Sequence, residues 1–188
     1  MPVARSVGLY ARSVGPCARE NYAHKGLHYR NTTMNPKIPK KIRLDSSLYC
    51  DQNRIYSITI ITNFKRKYFL NHALAMKIIE CLKFEKRRLG CKVFTYCLMP
   101  EHLHFLTAPT NLQKSVIEFV NQFKGKSTSL AWKYGIEGSL WQKRWYDHIL
   151  RKNEDISRIG EYVLNNPVRR GLVLDWTTYP YCGSLDDF

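Results

Sequence analysis

Acidic side chains are scarce in this sequence of 188 residues. Fifteen Asp and Glu oppose thirty Lys and Arg, which leaves a formal net charge of +15. An excess of this size predicts a polyanionic partner, with nucleic acid first and an acidic membrane surface second. No stretch approaches about 18 uninterrupted apolar residues, so a membrane-spanning helix is not expected. The basic residues are scattered and do not form one amphipathic face, which argues against a membrane-surface protein.

Several chemical signatures are also missing. None of the six cysteines forms a CxxC pair, and no Cys/His spacing resembles a zinc finger. We therefore expect buried or idle thiols in a reducing cytoplasm. The N-terminus lacks the apolar core of a secretory signal, although its Arg, Ser and Ala content faintly resembles a transit peptide. No Gly-rich phosphate-binding loop indicates the use of a nucleoside triphosphate.

The composition that is present suits one folded domain with an arm. Hydrophobic residues make up 44% and aromatic residues 13%, which excludes a wholly disordered chain. Residues 1–51 carry nine Lys or Arg, three acids and little periodicity. They predict a basic N-terminal arm, flexible in whole or in part, ahead of a folded domain at 52–188. An over-extended start of translation would explain part of this arm equally well.

The hydrophobic periodicity of residues 52–188 predicts the order β-α-β-β-α-β-α. Strands are expected at 55–62, 92–99, 102–108 and 140–150, and helices at 71–89, 113–134 and from a cap at 153 or 155 to 163. The very short connection between the second and third strands predicts a hairpin. We expect an α+β fold, a ferredoxin-like antiparallel sheet with helices on one face.

Two histidines flank one apolar residue in the third predicted strand. On a strand, residues i and i+2 point to the same face, so His102 and His104 should aim both imidazoles one way. Leu103 and Phe105 should then face the opposite side. Two imidazoles on a rigid strand can supply two ligands to a divalent metal and leave positions open for substrate. Read alone, the pattern fits surface or hydrogen-bonded histidines equally well.

A tyrosine and an asparagine lie four residues apart at the end of the last predicted helix. If the helix continues through Asn166, Tyr162 and Asn166 share a face. A phenolate can attack a phosphodiester and form a covalent intermediate, and an amide oxygen can complete a metal site. Two plainer interpretations stay open from the residues alone. Tyr162 can be a half-buried helix tyrosine, and Asn166 can cap a turn with Pro167 at its first helical position.

Aromatic and basic residues alternate between positions 132 and 146. Aromatic rings can stack on unpaired bases while Lys and Arg follow the phosphates, so this segment suits single-stranded nucleic acid. A buried aromatic core is the alternative, and we expect at least two of these rings to be buried. The aromatic residues are Trp132, Tyr134, Trp141, Trp145 and Tyr146.

Four blocks in this order and spacing resemble the single-tyrosine HUH transposases, most closely the REP-associated tyrosine transposases. The blocks are Leu-Met-Pro-Glu-His-Leu-His at 98–104, Phe-Val-Asn-Gln-Phe-Lys at 119–124, Leu-Trp-Gln-Lys-Arg-Trp-Tyr-Asp-His-Ile-Leu-Arg at 140–151, and Tyr-Val-Leu-Asn-Asn-Pro-Val-Arg-Arg-Gly-Leu-Val at 162–173. The resemblance spans residues 52–184. Glu101 stands where many relatives have Asn, and the N-terminal arm has no clear counterpart.

The resemblance implies a metal-dependent endonuclease and strand transferase acting on single-stranded DNA beside a hairpin. Tyr162 would be the nucleophile, giving a 5′-phosphotyrosine intermediate. His102 and His104 would hold Mg²⁺ or Mn²⁺, with Asn166 as the third ligand. Glu101 would lie beside the metal without binding it.

The resemblance also implies the partners and the location. The candidate DNA-binding residues are Lys143, Arg144, Trp145, Tyr146, His148, Arg151, Arg169 and Arg170. His148 fits a position near the scissile phosphate or metal as well as a structural one. The partner would be a REP-like or transposon-end hairpin, bound by a monomer or a homodimer in a prokaryotic cytoplasm, at the nucleoid.

Other functions compete with this one. A replication initiator or relaxase of the HUH class shares the chemistry, but such enzymes normally have a second tyrosine or further domains that this sequence does not show. From another class, a domesticated, non-catalytic nucleic-acid-binding module could use the same type of sheet. Binding of a divalent metal at the two histidines would separate an enzyme from such a module.

Overall fold

The protein is described here by a computed structural model that covers residues 46–151 and 155–187. All of these residues belong to one compact unit. The predicted arm, residues 1–51, therefore lies outside the described residues except for 46–51. Those residues form a short 3-10 helix, Ser46–Cys50, and then lead into the first strand.

The described residues contain five strands and four α-helices. In chain order they are β1 (Tyr56–Ile61), α1 (His72–Leu89), β2 (Cys91–Met99), β3 (His102–Pro109), α2 (Val116–Trp132), β4 (Tyr146–Ile149), α3 (Ile156–Leu164), α4 (Asn166–Arg169) and β5 (Cys182–Ser184). Up to α3 this is the order predicted from the sequence. Helix α4 and strand β5 are additions, since segments of four and three residues carry too little periodicity to be recognised.

The strands form one antiparallel sheet in the order β4-β1-β3-β2-β5. The first four are arranged as in a ferredoxin-like fold, so the predicted α+β class is confirmed. Strands β2 and β3 make the expected hairpin, with Pro100 and Glu101 at its turn. Strand β5 extends the sheet beyond β2.

The two long helices cover one face of the sheet. Tyr56, Ile58 and Ile60 of β1 are fully buried on this face, while Ser57 and the other alternate residues are half-buried on the opposite one. This alternation is the pleat of a strand with one face in the core. The core between sheet and helices includes Leu74, Ile78, Leu82, Leu98, Phe105, Phe119 and Phe123.

Helix α3 packs on the opposite face, over β2 and β3. Its Val163 joins a second, smaller cluster with Phe94, Met99 and Leu106. Strand β2 is therefore buried on both faces, which explains its nearly continuous apolar run. The two long helices lie on one face as expected, and α3 is an additional cover that leaves the β1 and β4 part of the other face open.

Local signals set the helix ends. Asn71 caps α1 by accepting a hydrogen bond from the Leu74 backbone N–H at 3.1 Å. Gly90 ends this helix in the left-handed conformation, with φ 63° and ψ 53°, and so turns the chain directly into β2. Of the two caps considered for the last helix, Asp155 takes the role by accepting from the Arg158 backbone N–H.

Tyr49 anchors the 3-10 helix to the core. Its ring is fully buried, stacks on Tyr56 with centroids 5.6 Å apart, and meets Trp145 edge-on at 6.3 Å. Its hydroxyl donates to the Asp147 carboxylate of β4. Residues 46–51 are thus packed against two strands.

We predict that Tyr49→Ala destabilises the full chain by about 3 kcal/mol, because it empties a closed aromatic site and leaves Asp147 without this donor. The measurement is urea unfolding followed by circular dichroism. Tyr146→Ala is the matched control, since Tyr146 is 66% exposed and should change the free energy of unfolding by less than about 0.5 kcal/mol. Equal effects of the two changes would show that residues 46–51 do not contribute to the folded domain.

Candidate active site

The two histidines of β3 lie side by side on the open face of the sheet. The centroids of the His102 and His104 rings are 4.6 Å apart and the rings are nearly perpendicular, at 84°. Leu103 and Phe105 lie on the other face, in the main core. His102 and His104 therefore lie on the same face of the strand, as strand geometry predicts.

Each imidazole is held through its Nδ1 atom. Thr59 stands directly opposite His104 in the pairing of β1 with β3, and its Oγ1 lies 2.7 Å from His104 Nδ1. Glu101 Oε1 lies 3.2 Å from His102 Nδ1. Nε2 is the remaining ring nitrogen on each histidine. When the partner oxygen accepts the Nδ1 proton, Nε2 carries the lone pair that a metal requires.

Burial keeps both imidazoles neutral. Burial, together with the charges of His102, Arg169 and Arg170, lowers the pKa of His104 to about 3. Burial also lowers the pKa of His102, against the opposing effect of Glu101. Neutral imidazole is the form that binds a metal ion, so neither ring has to lose a proton first at neutral pH.

The tyrosine of α3 is accessible to solvent. Tyr162 is 55% exposed, and the Arg169 guanidinium lies 4.0 Å from the centroid of its ring. This is close enough for a cation–π contact. Arg169 is also one of the charges that affect His104, so the tyrosine and the histidines share one electropositive region.

The helix is interrupted between Tyr162 and Asn166, as the Asn-Pro pair predicts. Pro167 has no N–H to donate to the Val163 carbonyl. The Asn166 side chain replaces that bond, since its Nδ2 donates to Val163 O at 3.0 Å and to Tyr162 O at 3.2 Å. Both amide protons are used in this way. The amide oxygen of Asn166 is then the atom that could bind a metal.

The hairpin turn links the histidines to the arginines after α4. Glu101 Oε1 lies 3.7 Å from Arg170 Nη2 as well as beside His102. Among the described residues, no group of three or more His, Cys, Asp or Glu side chains is placed to hold a metal. The donors that the structure brings together are the two imidazoles of His102 and His104, and Asn166 as a third ligand stays a prediction.

The aromatic segment divides into core and surface. Trp141 and Trp145 are 1% and 2% exposed, as expected for at least two of these rings, whereas Trp132 and Tyr146 are 56% and 66% exposed. The prediction that Trp145 binds DNA is therefore wrong for a stacking contact. Its ring is enclosed by the core, with Tyr49 against it.

Strand β4 points its alternate residues to the two faces. Tyr146 pairs with Thr59 and His148 pairs with Ser57, so both lie on the same face as His104. Asp147 points to the helix-covered face, where it accepts from Tyr49. The remaining basic candidates are all exposed: Lys143, Arg144, Arg151, Arg169 and Arg170.

Thr59 is the functional candidate that sequence reasoning missed. It is one of two polar residues, with Ser57, at alternate open-face positions of β1, which is a weak signal by itself. Its importance depends on the register that sets β1 against β3, and this register is not readable from either segment alone.

Comparisons with known proteins identify the class as DNA transposases, enzymes that cleave and transfer DNA strands. The model of the family described as "Transposase IS200 like" matches residues 50–166, and the chain belongs to this family. No described helix is long and apolar enough to cross a bilayer.

Two relatives and one solved structure are similar to this chain. A Haemophilus influenzae protein provisionally named a REP-associated tyrosine transposase is 28% identical over 138 residues, which cover 68% of this chain and 77% of the relative. The REP-associated tyrosine transposase of Escherichia coli K12 is 23% identical, over 51% and 56% of the two chains. The structure of a REP-associated tyrosine transposase bound to a REP hairpin shares the fold, with a TM-score of 0.60, 19% identity, and coverage of 70% and 77%.

We predict that the metal-free protein loses stability as the pH falls from 7.5 to 5. The unfolded chain binds a proton at His104 near its ordinary pKa of about 6.5, whereas the folded protein binds it only near pH 3. The contribution of His104 to the free energy of unfolding is therefore fully present above about pH 6.5 and is lost as the pH falls. The loss due to this residue is at most about 2 kcal/mol at pH 5. Urea unfolding in EDTA measures it, and His104→Gln should flatten the dependence. Parallel losses in both proteins would contradict the assignment.

Proposed function

We propose that this transposase is a metal-dependent endonuclease and strand transferase of single-stranded DNA, which acts beside DNA hairpins through a 5′-phosphotyrosine. The observation that carries the proposal is the group on the open face. Two adjacent neutral imidazoles, His102 and His104, lie in the same electropositive region as the exposed Tyr162. A tyrosine that served only packing would have no need of this exposure.

The covalent step is a substitution at phosphorus. The Tyr162 hydroxyl loses its proton and its oxygen forms a bond to the scissile phosphorus. The bond from phosphorus to the 3′ oxygen breaks, and that oxygen takes up a proton as a free 3′-hydroxyl. The 5′ end stays on the tyrosine. Attack by another 3′-hydroxyl reverses the step and joins strands, so the energy of the bond is retained.

Arg169 suits the developing charge in this reaction. Its guanidinium stands over the Tyr162 ring at 4.0 Å, where it can contact an incoming phosphate. Arg170 lies in the same exposed segment, held near Glu101. Both arginines would orient the phosphodiester in line with the tyrosine.

The donor set fits Mg²⁺ or Mn²⁺. His102 and His104 would supply two Nε2 atoms and Asn166 an amide oxygen, with Glu101 beside His102. A divalent ion bound there would polarise the scissile phosphate. Imidazole and oxygen ligands suit Mn²⁺ well, and Mg²⁺ accepts the oxygen donors and water.

The open face suits a single strand with a hairpin beside it. Tyr146 and His148 lie in line with the histidine face, with Lys143, Arg144 and Arg151 exposed nearby. A relative of the same fold is described as bound to a REP hairpin, which supports a hairpin partner for this chain. A DNA enzyme of this kind would work at the nucleoid, in the cytoplasm.

We predict that wild-type protein forms a covalent adduct with labelled single-stranded hairpin DNA in Mn²⁺ and not in EDTA. The hairpins are drawn from DNA that flanks the gene, and a denaturing gel measures the adduct. Tyr162→Phe should lower adduct formation at least about a thousand-fold, because the nucleophilic oxygen is removed.

The control is hairpin affinity. Tyr162→Phe should bind the hairpin within about three-fold of wild type, since the ring and its contact with Arg169 remain. An adduct that persists in Tyr162→Phe would show that another residue is the nucleophile. Tight hairpin binding by wild type with no adduct in Mn²⁺ would favour a binding module without catalysis.

We predict that Thr59→Val weakens Mn²⁺ binding by about 10- to 100-fold, because it removes the oxygen that orients His104. Isothermal titration of the metal-free protein measures this, and the imidazole resonances of His104 should show a changed tautomer ratio. Thr59→Ser keeps the hydroxyl and should bind Mn²⁺ within about three-fold of wild type. Equal affinity of the valine and serine variants would mean that the contact has no role in metal binding.

A further inference from the structure

A cavity lies away from the histidines, between the C-terminal half of α2 and the segment that leads to β4. Its volume is about 420 Å³. We name it the α2 pocket. Its lining residues are Lys124, Gly125, Thr128, Ser129, Trp132, Ser139, Trp141, Gln142 and Lys143.

One wall of the α2 pocket is an aromatic ring held in place. Trp132 is 56% exposed, yet its Nε1 donates to the Gly138 carbonyl at 2.8 Å, so the ring has a defined position. The buried Trp141 is fixed in turn by donating to Ser127 Oγ. An exposed indole with a fixed ring is pre-organised for stacking, because little rotamer freedom is lost on binding.

The charge of the lining suits a phosphate. Among the described residues, two lysines and no acidic residue line the α2 pocket. Lys124 Nζ is held at the rim by the carbonyls of Gln142 and Lys143, at 2.8 and 2.9 Å, and Lys143 is itself exposed. The larger cavity on the outer side of α1 and α2 differs, since Glu80 and Glu85 line it.

The α2 pocket is connected to the active face through the backbone. Gln142 N donates to Ile61 O at the end of β1, and Ile61 stands opposite His102 in the sheet register. A few residues later, Tyr146 stands opposite Thr59, in line with His104. Residues 142–146 therefore run from the pocket to the histidine face, and Lys143 and Arg144 lie exposed between the two.

We propose that the α2 pocket binds one unpaired nucleotide of the DNA strand held at the active face. The base would stack on Trp132 and its phosphate would contact Lys143, as aromatic rings and lysines do in single-strand binding sites. The inference rests on the DNA substrate of the proposed function. It adds a separate subsite, which would lengthen the stretch of strand that the protein recognises.

Three substitutions at two positions test the α2 pocket. Trp132→Ala removes the stacking surface, and Trp132→Phe retains a smaller one. Gly125→Leu fills the cavity without removing any group, because a Cβ at this position would meet no heavy atom within 4 Å. Gly125→Ala adds only that Cβ and should leave the pocket usable. Phe84→Ala is a matched control, since Phe84 is also 56% exposed but lines the larger cavity.

The measurement is fluorescence anisotropy with labelled hairpins that carry single-stranded extensions of increasing length, in EDTA with Tyr162→Phe as the parent. We expect Trp132→Ala and Gly125→Leu each to weaken binding of the long extensions by about ten-fold. Trp132→Phe should lose less than Trp132→Ala, and hairpins without an extension should bind as before. Gly125→Ala and Phe84→Ala should bind every hairpin like the parent.

Each result is decisive for the pocket. Parent-like binding of long extensions by both Trp132→Ala and Gly125→Leu would overturn the proposal, as would an equal loss for every hairpin. If Trp132→Ala failed to fold by circular dichroism, Gly125→Leu would still decide. If hairpin DNA is not the substrate of this protein, the result looks different, because the parent itself would then bind no hairpin. Loss of the catalytic part of the proposed function would appear only in the adduct gel and not in this binding measurement.

Discussion

The pairing of β1 with β3 is the constraint on which the site depends. This register places Thr59 opposite His104 and, through β4, places Tyr146 in line with both. A slip of one residue would turn the histidines into the main core and bring Leu103 and Phe105 to the open face. The buried residues of β1 hold the register, because Tyr56, Ile58 and Ile60 are wholly covered by the helix layer. The packing on the helix-covered face thus fixes the positions of Thr59 and His104 on the open face.

The electrostatics of the site follow from partial burial among positive charges. Arg170 helps to keep both imidazoles neutral and Arg169 helps to keep that of His104 neutral. Arg169 also lies over the ring of the exposed tyrosine. Glu101 partly offsets this charge beside His102. A surface with neutral imidazoles and fixed cations suits a phosphodiester, since it attracts the polyanion while the imidazoles keep their lone pairs.

The break between α3 and α4 depends on Asn166 and Pro167. Pro167 removes a backbone donor, and the Asn166 amide satisfies the Val163 carbonyl that this leaves. The break begins a new helical turn, which carries Arg169 to the Tyr162 ring. The short helix and its asparagine therefore shape the surroundings of the tyrosine whether or not the amide oxygen binds a metal.

Local sequence determined the strands and helices up to α3, the hairpin, and the shared face of His102 and His104, because periods of 2 and 3.6 residues are properties of each segment. The charge likewise indicated a polyanionic partner. The tertiary structure decided what depends on contacts between distant segments. It buried Trp145 against Tyr49, placed α3 on the second face, and set Thr59 beside His104 from 45 positions away. Such contacts depend on strand order and register, which no single segment encodes.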